Sequence, residues 1–151
     1  MAHGYPGAES MIMWATIDEF FYNDLAGIRG PEYYGPAQMA PGFRQIEIRP
    51  YVVGDLTHAQ ASVRTVQGVI RSGWKKDGNA LTLDVTIPTG ARAKVSVPAI
   101  GLENAMITEG GAVIWKDGAY VKGVAGIAAG KQEVGCYTFD VGSGKYQFTV
   151  E

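Results

Sequence analysis

The stretch V-I-R-S-G-W-K-K-D-G-N-A-L-T-L-D-V-T-I-P-T-G-A-R-A-K-V-S-V-P, Val69 to Pro98, decides the fold. Ala80 to Ile87 alternates apolar and polar residues without a break, the period of a strand with one face in a core. Asp77-Gly78 before it is a hairpin signal, because both residue types tolerate the backbone of a tight reversal. Val69 to Lys75 therefore reads as the partner strand. Pro88 stops one strand and Pro98 the next, since proline has no N–H to give to a ladder. Between them Ala91, Ala93, Val95 and Val97 share one face, opposite Arg92, Lys94 and Ser96.

The same period extends in both directions. Upstream, Ile46 and Ile48 alternate with Gln45, Glu47 and Arg49 up to Pro50. His58 to Val66 puts Ala59, Ala61 and Val63 on one face, and Gly68 marks a reversal or bulge. Downstream come Ala105 to Thr108, the turn Gly110-Gly111, Ala112 to Trp115, and a further hairpin at Asp117-Gly118. Gly123 to Ala129 reads as a weak strand. Val134 to Val141 and Lys145 to Val150, joined by Gly142-Ser143-Gly144, read as a closing hairpin. Many short strands with glycine turns predict a mainly β fold, an antiparallel β-sandwich of jelly-roll type.

One segment differs. From Ser10 to Ile28, Trp14, Ile17, Phe21, Leu25 and Ile28 recur at spacings of three and four, which predicts an N-terminal α-helix with Ser10 as N-cap and Gly27 as its left-handed stop. Met11, Met13 and Phe20 lie off that stripe, so the helix is apolar nearly all round and needs cover on more than one side. The predicted domains are a lead-in and helix over residues 1–30 and a β-sandwich over 31–151. Met11, Met13, Trp14 and Phe20 are the expected interface residues, in a contact between subunits or held by residues 1–9.

Composition excludes several functions. The 151 residues are 46% hydrophobic and 19% charged with a net charge of −2. That is a globular balance, with no basic patch for nucleic acid or for an anionic membrane. No apolar run approaches the roughly 20 residues of a membrane-spanning helix. Cys136 is the only cysteine, read as a buried structural thiol, and it leaves the compartment open. His3 and His58 lack metal-ligand spacing, so no metal or other cofactor is expected. Glycoside hydrolysis needs two carboxylates facing one sugar. Asp18 and Glu19 are adjacent and diverge on a helix, while Asp77, Asp117 and Asp140 lie at or near turns, so no catalytic residue is assigned. Exposed aromatics are the remaining route to a ligand, by stacking on sugar. Tyr33, Tyr34 and Trp115 are the substrate-binding candidates, with Tyr51 also noted and Trp74 assigned to the core.

The order of motifs resembles the C-terminal end of bacterial α-L-rhamnosidases. Ile17-Asp18-Glu19-Phe20-Phe21-Tyr22 with Leu25-Ala26-Gly27-Ile28 is similar to the last helix of that family's (α/α)₆ catalytic barrel. Pro41-Gly42-Phe43 and Ile46 to Pro50 resemble the entry into its C-terminal sandwich. Leu56-Thr57-His58-Ala59, Gly68-Val69-Ile70 with Ser72 and Trp74, Thr86-Ile87-Pro88, Glu109-Gly110-Gly111 and Gly142-Ser143-Gly144-Lys145-Tyr146 continue the likeness. The resemblance implies a parent enzyme that hydrolyses terminal rhamnose from glycosides, with its acid, base and rhamnose pocket in an upstream barrel. It implies that this segment is a non-catalytic accessory sandwich whose partner is that barrel. The competing readings are a carbohydrate-binding module and a homo-oligomer formed through the N-terminal helix.

Overall fold

A computed structural model describes residues 20–29 and 43–151. The chain forms a sandwich of two sheets with one short helical turn, Phe21–Leu25, before the first strand. The strands in order are β1 (Ile28–Arg29), β2 (Gln45–Ile48), β3 (His58–Thr65), β4 (Gly68–Asp77), β5 (Ala80–Ile87) and β6 (Arg92–Pro98). They continue as β7 (Ile107–Glu109), β8 (Ala112–Lys116), β9 (Ala119–Tyr120), β10 (Ile127–Glu133), β11 (Cys136–Val141) and β12 (Gly144–Val150). The five-stranded sheet runs β1-β2-β6-β11-β10 and the seven-stranded sheet β3-β4-β5-β12-β7-β8-β9.

Alternation does what a period of two requires. On β5, Leu81, Leu83, Val85 and Ile87 are buried while Asp84 is exposed. On β6, Ala93, Val95 and Val97 are buried while Arg92 and Lys94 are exposed. Phe139 of β11 and Phe148 of β12 come from opposite sheets and stack with ring centroids 5.8 Å apart, marking the middle of the core. The hairpins fall where glycine allows a positive φ. Gly110 and Gly111 turn at +54° and +87°, and Asp117 and Gly118 at +53° and +76°, the mirror-image geometry that suits the twist of a two-strand ribbon.

Four expectations are corrected. Val134 to Val141 is not one strand: Val134 and Gly135 form the turn between β10 and β11, with Val134 98% exposed. The weak strand foreseen at Gly123 to Ala129 forms later, at Ile127–Glu133. The closing hairpin does not exist, because β11 pairs with β6 and β10 while β12 pairs with β5 and β7. Gly142 and Ser143 carry the chain from one sheet to the other. Finally, β2 and β6 pair in parallel, so the sandwich is mostly rather than wholly antiparallel.

The N-terminal helix is described only at its end. Phe21–Leu25 is a π-helical turn, closed by Ala26 N–H donating to the Phe21 carbonyl at 3.1 Å. Gly27 stops it at φ +72° as expected. Ile28 is not on a helical face; it is a strand residue paired with Ile48 and buried in the core. The five-stranded sheet thus starts upstream of residue 31. The part of the expected helix before Phe20 lies outside the described residues.

Candidate functional site

The most constrained place in the fold is the junction where the helical turn enters the sandwich. A helix leaves its last carbonyls without intrahelical donors. Here the sheet supplies them. Trp74 Nε1 donates to the Leu25 carbonyl at 2.8 Å and Ser72 Oγ to the Ala26 carbonyl at 2.6 Å. Both side chains are nearly inaccessible and stand on the inward face of β4, two residues apart, so one strand presents both donors together. Two backbone bonds close the junction from the segment that follows β2. Arg49 N–H donates to the Gly27 carbonyl at 2.8 Å and Tyr51 N–H to the Asp24 carbonyl at 2.9 Å. The backbones come so close that a Cβ on Gly27 would lie 2.1 Å from the Arg49 carbonyl carbon. Arg29 fastens the outside, with its guanidinium on the Asp24 carboxylate at 3.1 Å and the Asn23 carbonyl at 3.2 Å.

Sequence reading assigned Trp74 to packing alone and gave Ser72 no role. The available signal was Ser-x-Trp on the apolar face of a strand, two side-chain donors where the alternation calls for hydrocarbon. Buried donors need acceptors, and neither residue had one nearby in sequence.

The predicted site residues do not converge. Tyr33 and Tyr34 lie outside the described residues, as do Met11, Met13 and Trp14 of the expected interface. Phe20 is described and is 49% exposed, in edge contact with Phe21, itself 52% exposed. Tyr22 and Tyr51 are exposed beside them on the junction segments. Trp115 is a correction. It is 5% exposed and tilts against Tyr137 with centroids 5.2 Å apart, whereas a stacking platform needs an open face. It sits near the end of the β8–β9 hairpin, opposite Tyr120, but with its side chain buried in the core.

The carboxylates are dispersed. Asp84 stands on the outer face of the seven-stranded sheet and Asp140 on the outer face of the other, so they point away from each other. Among the described residues no cluster of three or more His, Cys, Asp or Glu side chains is placed to hold a metal. Cys136 is buried. On the outer face of the five-stranded sheet, Ser96 and Thr138 join hydroxyls at 3.0 Å under a depression of about 900 Å³. Its rim mixes Arg49, Lys94 and Lys131 with Glu47, Glu133 and Asp140. A hydrogen bond from Lys131 holds the Glu133 carboxyl below its usual range and the Lys131 amine above its own.

The family described as the bacterial alpha-L-rhamnosidase C-terminal domain matches residues 35–112. The chain belongs to this family. The rhamnosidase C-terminal domain is also similar to an alpha-L-rhamnosidase of Streptomyces avermitilis, 28% identical over 137 residues, which is 91% of this chain and 11% of that protein. Among solved structures, an alpha-L-rhamnosidase from Dictyoglumus thermophilum superposes with a TM-score of 0.76 at 28% identity, over 93% of this chain and 14% of the other. The Streptomyces avermitilis enzyme, solved in complex with L-rhamnose, gives 0.63 at 28% identity over 91% and 11%. The rhamnosidase C-terminal domain thus spans about a tenth to a seventh of the relatives it matches, and in each the matching segment is a small part of a long rhamnosidase chain.

Proposed function

We propose that this domain is the non-catalytic accessory sandwich of a glycoside hydrolase that removes terminal α-L-rhamnose, and that its task is to hold the last helix of an upstream (α/α)₆ barrel. The observation that supports the reading most is the seizure of the Leu25 and Ala26 carbonyls by Trp74 and Ser72. Those hydrogen bonds fix the end of a helix to the interior of a sheet, where either partner left alone would be buried without its bond. Phe20, Phe21 and Tyr22 stand exposed at the N-terminal side of that anchor, where a barrel would cover them. The dispersal of the carboxylates over two opposite faces supports a domain that does not itself cleave a glycosidic bond.

The test is turnover of an aryl α-L-rhamnoside. The purified 151-residue chain is expected to release no aglycone, and the full-length parent is expected to release it. Turnover by the chain alone that a point change within it abolishes overturns the reading.

A specific observation also favours self-association of the chain when it is on its own. The aromatic cluster of Phe20, Phe21 and Tyr22 is the kind of surface that pairs when its cover is missing. Met11, Met13 and Trp14 are proposed as part of the same contact.

A further inference from the structure

The outer face of the seven-stranded sheet carries a second feature. Register places its side chains in rows. Gln60 lies opposite Gly73, Gly73 opposite Asp84, and Asp84 opposite Gln147. One step along the strands, Ser62, Arg71, Thr86 and Lys145 form the adjacent row. On the other side His58, Lys75 and Thr82 form a third. Gly73 leaves a notch at the centre, walled by Gln60, whose Cβ lies 3.1 Å from where a Cβ on Gly73 would stand. A depression of about 1320 Å³ includes this notch and continues around β3 to Ala59, Ala61 and Tyr22 beside the junction.

The charges around the notch are not neutralised. Among the described residues the ion pairs within 4 Å are Arg29–Asp24 and Lys131–Glu133, so Arg71, Lys75 and Lys145 have no carboxylate at that range. Arg64 extends the same face on β3. Against these four cations stand Asp84 and Asp77 on the same face, with Glu109 at the margin opposite the inward Phe148, on a chain whose overall charge is −2. Asp84 is engaged otherwise: its Oδ1 accepts from Gln147 Nε2 at 2.9 Å. Its Oδ2 remains as an acceptor beside the notch. Glu109 takes a long hydrogen bond from the Gln147 backbone at 3.5 Å.

We infer that this face binds a saccharide carrying a carboxylate, with Arg71, Lys75 and Lys145 around the acid and Gln60, Asp84 and Gln147 meeting the hydroxyls. Amides and a carboxylate in one row offer both donors and acceptors, which is what vicinal hydroxyls need. A compact anion such as phosphate uses only the cations. The row from Gln60 to Gln147 crosses three inter-strand steps, about 14 Å at the usual strand spacing, which suits a short oligosaccharide rather than a single ion. The sugar lies edge-on to polar side chains, so the site needs no aromatic platform. The inference does not depend on rhamnose hydrolysis, and its test uses no turnover.

The experiment is a titration of the 151-residue chain with trigalacturonate, followed by backbone amide NMR, with maltotriose and tripolyphosphate as comparison probes. Trigalacturonate is expected to shift amides of β3, β4, β5 and β12 and to saturate below about 10 mM. Binding should weaken as salt rises from about 50 to about 200 mM, because exposed charges are screened over that range. The double variant Arg71→Gln/Lys145→Gln is expected to bind about five- to tenfold more weakly, the loss usual for two exposed charges, while Lys116→Gln on β8 changes nothing. Gly73→Ala fills the notch and should abolish binding. If that variant is misfolded by its amide spectrum, the charge variants decide. No shift on these strands at the highest concentration overturns the inference. So does equal binding of maltotriose, which removes the role of the acid, or of tripolyphosphate, which reduces the face to a general attraction for anions.

Discussion

At the scale of single residues the junction concentrates more consequence than any other place in the described chain. Trp74→Phe keeps most of the ring volume but removes the N–H that reaches Leu25. The buried carbonyl is left without its partner, so the chain is expected to lose about 1–3 kcal/mol, measured by urea unfolding with circular dichroism. Ser72→Ala removes the neighbouring bond and should cost a similar amount. Because both bonds hold one turn, the double variant should cost less than the sum of the two. Tyr146 gives a pH dependence. Burial, and then the Glu109 carboxylate, push its hydroxyl above the ordinary value of 10.0. The native state therefore holds that proton more tightly than the unfolded chain. Its contribution is complete below the unfolded pKa and is lost as pH rises from there through the folded value. Tyr146→Phe is expected to flatten the alkaline limb of the stability curve, read from unfolding midpoints on either side of pH ~10. It also gives up a weak bond from the hydroxyl to the Ser143 carbonyl, which sets a constant offset at neutral pH.

At the scale of elements, Gly27 shows why the turn and β1 form a single unit. Its φ of +72° suits glycine, and a Cβ there would overlap the Arg49 carbonyl. Gly27→Ala is expected to cost about 3 kcal/mol or more and to expose Leu25 to Ile28, a change that thermal unfolding and limited proteolysis after Arg29 would both register. Strands such as β5 were legible to the residue, because an unbroken apolar alternation ending at proline admits one reading. The partners of strands were not legible. Gly142-Ser143-Gly144 between two apolar strands reads as a hairpin, yet the same short link also fits a step from one sheet to the other, and only non-local packing separates the two. Val134 misled for a related reason: a β-branched residue next to a strand was read into it, although Gly135 at φ +76° takes the turn. Strand β10, with Ala128, Ala129 and Gly130 in its first half, carries too little hydrophobic contrast to set its own ends. The clamp was hidden because its acceptors are backbone carbonyls at Leu25 and Ala26, 49 and 46 residues away from their donors.

At the scale of the whole molecule, membership of the rhamnosidase C-terminal family and the two-sheet architecture agree, and the remaining question is what covers the aromatic end of the junction. If a barrel does, the chain alone should hide Phe20 and Phe21 against a second copy. Light scattering is expected to show a concentration-dependent dimer, and Phe20→Ser/Phe21→Ser to give a monomer with an unchanged far-ultraviolet spectrum. A monomer at high concentration for the unmodified chain would remove self-association and leave the aromatic end open in solution. Charge places the two outer faces in different roles. The five-stranded sheet sets Glu47, Lys94 and Asp140 in one row, whereas on the seven-stranded sheet no carboxylate stands directly across the register from Arg71, Lys75 or Lys145.

The placement of β12 has a consequence in time. This strand, Gly144–Val150, is the last in sequence but the fourth of seven in its sheet, lying between β5 and β7. Until it arrives, β5 has an open edge, β7 to β9 have no ladder to β3 to β5, and Phe139 lacks its stacking partner Phe148. The closure spans about sixty residues of chain, so folding should be slow for a domain of this size and dominated by one late step. A polypeptide released from the ribosome before Val150 would carry unpaired edges and an exposed core, a substrate for proteases. The same strand completes the sheet on which Ser72 and Trp74 stand. The grip on the upstream helix would then tighten only on chains synthesised through β12, so that integrity of this far end is reported back to the region that precedes the sandwich.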